Sequence, residues 1–274
     1  MSARLQVLPQ PEPAPRAPEA LGERPLAVRG LTLRYGRNPP AVEEVEFAVA
    51  AGELVSLVGP SGCGKSTILR AIAGLHRPER GTVELGVARR ALGFLFQDDA
   101  LLPWRTARDN VALGLRFAGM SRREARAEAE AWLARLGLAG LGGRYPAQLS
   151  GGQRKRVALA QVLALRPRLL LMDEPFAALD AIVRQQVTQE LLRWVEREGI
   201  AVVLVTHDLE EAIALADRVL LLGQGPRARI QARHPVDIPR PRDLVAVRGH
   251  PAFAPLYRRL WRDLSRAMGR EETP

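Results

Sequence analysis

Cysteine occurs once in 274 residues, as Cys63, which excludes a disulfide framework and any cysteine-rich zinc module. No uninterrupted apolar run approaches the ~18–20 residues of a membrane span. Charges or prolines break every candidate, Val162–Met172 and Ile213–Leu222 included. The first residues never build the apolar core of a signal peptide, and no internal repeat is visible. These absences predict a soluble, cytoplasmic chain. Acids are outnumbered, with 30 Asp and Glu against 40 Lys and Arg, a net charge of +10. Such a balance invites nucleic acid or a membrane surface as a partner. The excess is spread through an Ala-, Arg-, Leu-, Gly- and Pro-rich composition, so the expectation is compositional bias and no nucleic-acid partner.

Residues 8–25 hold six prolines and cannot build a core, so residues 1–25 are expected to be a disordered tail. From Pro25 the pattern is strand-like: Leu26–Tyr35 and then Val45–Val49, read as antiparallel pairs with short turns, with Arg80–Leu85 and Leu92–Phe96 as two more strands. Residues 98 to about 165 turn helical. There Ser121 and Glu124 form a capping box, and Ala125, Ala129, Trp132, Leu133 and Leu136 recur at core-facing helical spacing. Strands Leu169–Asp173, Ile200–Thr206 and Arg218–Leu222 then alternate with helices, one running Ala181–Glu198 between Asp180 as cap and Gly199 as stop. Strand–helix alternation gives right-handed crossovers and a mostly parallel sheet. A Pro/Arg-rich stretch leads to a last amphipathic helix, about Pro255–Met268.

The centre of the chain is Gly59-Pro60-Ser61-Gly62-Cys63-Gly64-Lys65-Ser66-Thr67. A buried-strand pattern, Leu54–Val58, precedes it and a helical one, Lys65 to Gly74, follows. Strand, glycine-rich loop and helix together make a nucleoside triphosphate site. Backbone N–H groups curl around phosphate, Lys65 reaches the β- and γ-phosphates, and the Ser66 hydroxyl binds Mg²⁺. Asp173, at a strand end, supplies the metal's second ligand. Glu174 next to it points elsewhere, where it can serve as general base for an attacking water. A second helix N-terminus follows Leu149-Ser150-Gly151-Gly152-Gln153. One phosphate loop already serves the nucleotide, so this second anion-binding end faces something else.

At these residues the chain resembles the ATP-binding cassette (ABC) ATPases, whose signature is Leu-Ser-Gly-Gly-Gln. The resemblance covers about residues 26–225 and carries further implications. Tyr35 falls where the family stacks an aromatic ring on adenine; alone it reads as a strand core residue. Gln97 matches the glutamine that touches Mg²⁺ or the attacking water. Ala178-Leu179-Asp180 matches the loop crossing the dimer interface, and His207 the histidine that contacts the γ-phosphate. Lys155 and Gln161 depart from the common glutamine and arginine, away from the phosphates. The implied fold is α/β, a P-loop NTPase with a mostly parallel sheet, an N-terminal antiparallel β subdomain and an inserted helical subdomain at about 98–165. The ATPase domain is expected over 26–230, with an extension over 231–274.

The run Phe96–Thr106, followed by Asp109–Leu115, looks like the cassettes of nitrate, sulfonate and taurine importers; pyrimidine-precursor importers are similar. The reading is an ATP- and Mg²⁺-dependent energy-coupling subunit of an importer for a small anion, peripheral on the cytoplasmic side of the membrane. Its partners are a second copy, permease subunits and, indirectly, a solute-binding protein. Leu101, Leu102, Pro103 and Trp104 would receive the permease, with Trp104 the anchor; the alternative buries Trp104 in the helical lobe. The alternatives from another class are a cassette working on nucleic acid, and a regulatory module without turnover. A GTPase is disfavoured because no Asn-Lys-x-Asp motif occurs.

Overall fold

The computed structural model describes residues 24–176 and 179–269, so most of the proline-rich tail and Ala178 lie outside the described residues. Strands β1 (Leu26–Leu33), β2 (Val42–Val49) and β4 (Arg80–Leu85) form an antiparallel sheet in the order β2-β1-β4. β3 (Leu54–Val58), β5 (Leu92–Leu95), β6 (Leu169–Asp173), β7 (Ala201–Val205), β8 (Arg218–Leu222) and β9 (Ile230–Pro235) form the second sheet. Its order is β5-β6-β7-β3-β8-β9, parallel except for β9.

The central strands are continuous apolar runs because both faces of the sheet are covered. Val55, Leu57, Leu171 and Val203 join α1 (Lys65–Ile72) and the antiparallel sheet in one core. Their neighbours Leu54, Val58, Met172 and Leu204 face the other core, with α4 (Gly151–Leu163), α5 (Ala181–Glu198), α6 (Leu209–Leu215) and α7 (Phe253–Ala267). Between β5 and β6 stands the helical lobe: α2 (Ala107–Phe117), α3 (Arg122–Arg135) and α4. Trp132 is a core residue as expected, edge-on to Trp194 of α5 at 5.8 Å. The Ser121–Glu124 capping box starts α3, and Asp180 accepts from Val183 N–H to start α5.

β9 is the main departure from the sequence reading. Its alternating half-buried pattern runs antiparallel along the free edge of β8, with Pro235 at its end, where no ladder partner is lost. The strand crosses the boundary expected at residue 230, so the sheet extends to Pro235. α7 packs on α6, β8 and β9, and His234 of β9 lies 3.0 Å from Asp263 of α7.

Candidate functional site

The carboxyl ends of β3, β6, β7 and β8 point to one side, and the loops leaving them hold the chemistry. The phosphate loop joins β3 to α1. Gly64 caps α1 in the left-handed region at φ 102°, and a side chain there would collide with Val42. At Gly59 a Cβ would approach the Leu222 carbonyl oxygen to 2.8 Å. Both positions therefore demand glycine for reasons of space and backbone. Lys65 is buried, and its Nζ donates to the carbonyls of Gly59 and Pro60, each at 2.8 Å. Burial pushes the Cys63 thiol up, so this side chain is filler and not a nucleophile.

Ser66 Oγ donates to Asp173 Oδ1 at 2.9 Å, across 107 positions of sequence. Asp173 is buried, and burial raises its carboxyl above the usual range; the Ser66 bond opposes this and the Glu174 charge adds to it. A hydroxyl beside a desolvated carboxylate is a hard-oxygen donor pair that fits Mg²⁺. Asp173→Asn keeps the acceptor for Ser66 and removes the buried charge. The nucleotide-free protein should melt about 2–4 °C higher, equivalent to about 1 kcal/mol. Mg²⁺-dependent ATP binding should weaken at least about tenfold, by loss of that ligand. Thermal melts with and without ATP and Mg²⁺ check both; a lower melting point with Mg²⁺ dependence intact would remove Asp173 from this role.

Glu174 stands in the left-handed region at φ 44°, an arrangement that costs of order 1 kcal/mol or more in a residue other than glycine. Its N–H donates to Val205 O at 2.9 Å, which ties it to the end of β7. That brings its Oε2 within 3.2 Å of His207 Nδ1. A cavity of about 100 Å³ opens beside the pair, lined also by Phe176, Arg184, Thr206, Asp208 and Glu211. Glu211 escaped the sequence reading. Burial pushes its carboxyl up, against the opposing bond from Thr206. The available signal was its place one turn after the cap Asp208, which accepts from the N–H groups of Glu210 and Glu211.

A second cavity, of about 340 Å³, lies between Tyr35, Asn38, the loop at Ser61 and Gly62, and Gln224-Gly225-Pro226 after β8. Tyr35 is 43% exposed, outside the strand core, and its hydroxyl bonds Thr67 Oγ1 at 3.2 Å. Its ring lies 4.6 Å from that of His76. Gln224–Pro226 were not foreseen, because a short polar link after a strand carries no local mark of a site.

The remaining sequence-marked residues lie apart from the loop. Gln97 is exposed just beyond β5, at the sheet edge where Leu95 pairs with Met172, so it stands near Asp173 along the same strand ends. Ser150 caps α4: its Oγ accepts from Gln153 N–H at 3.2 Å, and Gln153 Oε1 accepts from Ser150 N–H at 2.9 Å. The Gln153 oxygen is thus spent on the cap, while its amide N–H groups and the Ser150 hydroxyl proton can still be donated outward. Among the described residues no hydrogen bond or ion pair joins Ser150, Gly151, Gly152 or Gln153 to the phosphate loop of the same chain.

The model of the ABC transporter family matches residues 42–177. An aliphatic sulfonates import ATP-binding protein, SsuB 2, of Pseudomonas aeruginosa is 44% identical over 256 residues, 91% of this chain and 87% of that protein. The chain belongs to the ABC transporter family. A taurine import ATP-binding protein, TauB, of Yersinia pestis is 47% identical over 209 residues, 73% of this chain and 80% of its own. Among solved structures, the dimeric ATP-binding cassette MJ0796, bound to ADP and Pi in a post-hydrolysis state, superposes with a TM-score of 0.71 at 33% identity. The match covers 78% of this chain and 99% of that one. The fold is that of an ABC ATPase, and the chain binds and hydrolyses ATP. No described helix is long and apolar enough to cross a membrane.

One loop of this ABC ATPase carries an exposed tryptophan. Asn110, fully buried in α2, accepts from Leu102 N–H at 2.8 Å and donates to the carbonyls of Leu102, Arg105 and Thr106. With the loop 101–106 wound on that amide, Trp104 stands outward, 71% exposed. The alternative that buried Trp104 in the helical lobe does not hold.

Proposed function

We propose that this ATPase drives an importer of a small organic or inorganic anion, as two copies bound to permease subunits at the cytoplasmic face of the membrane. The observation that carries the proposal is the division of the site. Lys65, Ser66, Asp173, Glu174 and His207 gather on one set of strand ends, while among the described residues no hydrogen bond or ion pair joins the capped N-terminus of α4 to any of them. That arrangement suits two chains closing on two ATP molecules, each phosphate loop meeting the partner's Ser150, Gly151 and Gly152. Tyr35 stacks on the adenine in this reading.

Mg²⁺, held by Ser66, Asp173 and Gln97, would neutralise charge on the phosphate oxygens. Lys65 aligns the β- and γ-phosphates, and Glu174 takes a proton from the attacking water as its oxygen bonds to the γ-phosphorus. The bond to the bridging oxygen breaks and ADP leaves with that oxygen. His207, beside Glu174, positions the γ-phosphate. The names of the relatives support a sulfonate, taurine or similar anion as cargo, delivered by a solute-binding protein.

Reconstitution with the permease tests the reading. Trp104→Ala should weaken co-purification with the permease by about 2 kcal/mol, roughly thirtyfold, as for a central aromatic anchor. Turnover of the isolated subunit should stay near normal. Duplex DNA should neither bind tightly nor stimulate turnover, and steep, salt-dependent DNA affinity with stimulated ATPase would overturn the transport assignment.

A further inference from the structure

Lys155 is a charge that burial disfavours, although the carboxylates of Asp99, Asp98 and Asp173 favour it. It sits in the second turn of α4. It is also 3% exposed. What holds it is two hydrogen bonds from Nζ, to the carbonyl of Phe96 at 2.8 Å and that of Gln97 at 2.9 Å. Both residues lie just beyond β5, where the ladder to β6 has ended and carbonyls need other donors. Next to it, Arg154 Nε reaches Asp99 Oδ2 at 3.2 Å, and its Nη1 donates to Leu149 O at 2.8 Å. Two successive residues of α4 therefore grip the segment 96–99, about one turn on from the cap Ser150.

We infer that Lys155 is a positioning residue: it ties the N-terminus of α4 to Gln97, so that occupancy at one nucleotide sets the placement of the signature offered to the other. This rests on the shared-site reading above. The connection is continuous. β6 ends in Asp173, β5 is in register with it through Leu95 and Met172, Gln97 follows β5, and Lys155 holds the Gln97 carbonyl. A shift of Gln97 with bound nucleotide moves Lys155, and α4 moves as a rigid body. Misplacement of a phosphate donor by about 1 Å is worth on the order of 10²-fold in rate.

The test compares Lys155→Met with the parent chain. ATP affinity of the dilute, monomeric protein should fall less than ATP-driven dimerisation does, since Lys155 reaches its own chain's nucleotide only through Gln97. On a Glu174→Gln background, ATP-driven dimerisation followed by light scattering should need at least about tenfold more ATP, and the turnover of the Lys155→Met chain with Glu174 intact should fall by about 10–100-fold, the scale of such misplacement. A residue kept for packing alone would lower the melting temperature and leave ATP-driven dimerisation unchanged; that result overturns the inference. Monomer affinity that falls as far as dimerisation does overturns it as well. Should Lys155→Met fail to fold, Asp99→Asn opens the Arg154 ion pair at the surface and must give the same pattern with smaller amplitude; unchanged dimerisation there refutes the coupling. Ser150→Arg runs alongside. If it abolishes dimerisation while Lys155→Met does not, only the coupling fails; if neither has an effect, the shared site itself is wrong.

Discussion

Glu174→Gln is expected to cut ATP turnover by roughly 10²–10⁴-fold, the usual worth of a positioned general base. ATP binding should survive. Glutamine fills the same volume, retains an oxygen toward His207 and leaves the N–H bond to Val205 in place, so the strand ends should not rearrange. Only the ability to accept a proton from water is lost. Closed dimers should then accumulate in ATP, because the step that reopens them has been removed while closure has not. Single-turnover hydrolysis and size-exclusion chromatography in ATP measure the two effects separately. A rate near that of the parent would take Glu174 out of the role. The backbone adds a reason to expect specificity: a non-glycine residue held at φ 44° is strained, and such strain persists where the surrounding structure enforces a particular side-chain direction.

Mixed dimers should reveal whether the catalytic centre belongs to one chain or two. A chain with Lys65→Ala lacks the phosphate lysine but keeps its α4 N-terminus. A chain with Ser150→Arg has the reverse defect. Each mutant homodimer should lose at least about 10²–10³-fold in rate, the cost of one transition-state donor. When the two are mixed, both lesions fall on one composite site and the other site is whole. Activity should therefore return to a substantial fraction of the parent level, which neither homodimer shows. The expectation is geometric. The loop wraps the triphosphate from one side, among the described residues Ser150 makes no hydrogen bond to that loop in its own chain, and a two-fold pair delivers two donors at once. Where the two sites are strictly interdependent the mixture stays silent, so ATP-driven dimerisation of Glu174→Gln chains carrying Ser150→Arg is measured in parallel. Unaltered dimerisation and turnover in Ser150→Arg would end the shared-site mechanism.

The linear chain determined the local parts of this protein. The phosphate loop, the helix start at Ser150, the capping box at Ser121 and Glu124, and the Asp180–Gly199 helix were legible because each rests on neighbours within a few residues. The central strands were legible because full burial writes itself as an apolar run, and Asp173 because it closes one. β9 was missed since a short half-buried edge strand set in a Pro/Arg-rich stretch resembles a linker until β8 is beside it. Tertiary structure alone decided which distant groups meet. It joined Ser66 to Asp173, bent Glu174 toward His207, and walled that cavity with Arg184 and Glu211. It also turned Trp104 outward through the buried amide of Asn110. It gave Lys155 a purpose as well: a buried ammonium is tolerable only where two strand-end carbonyls await it, and no local pattern announces where such carbonyls will lie.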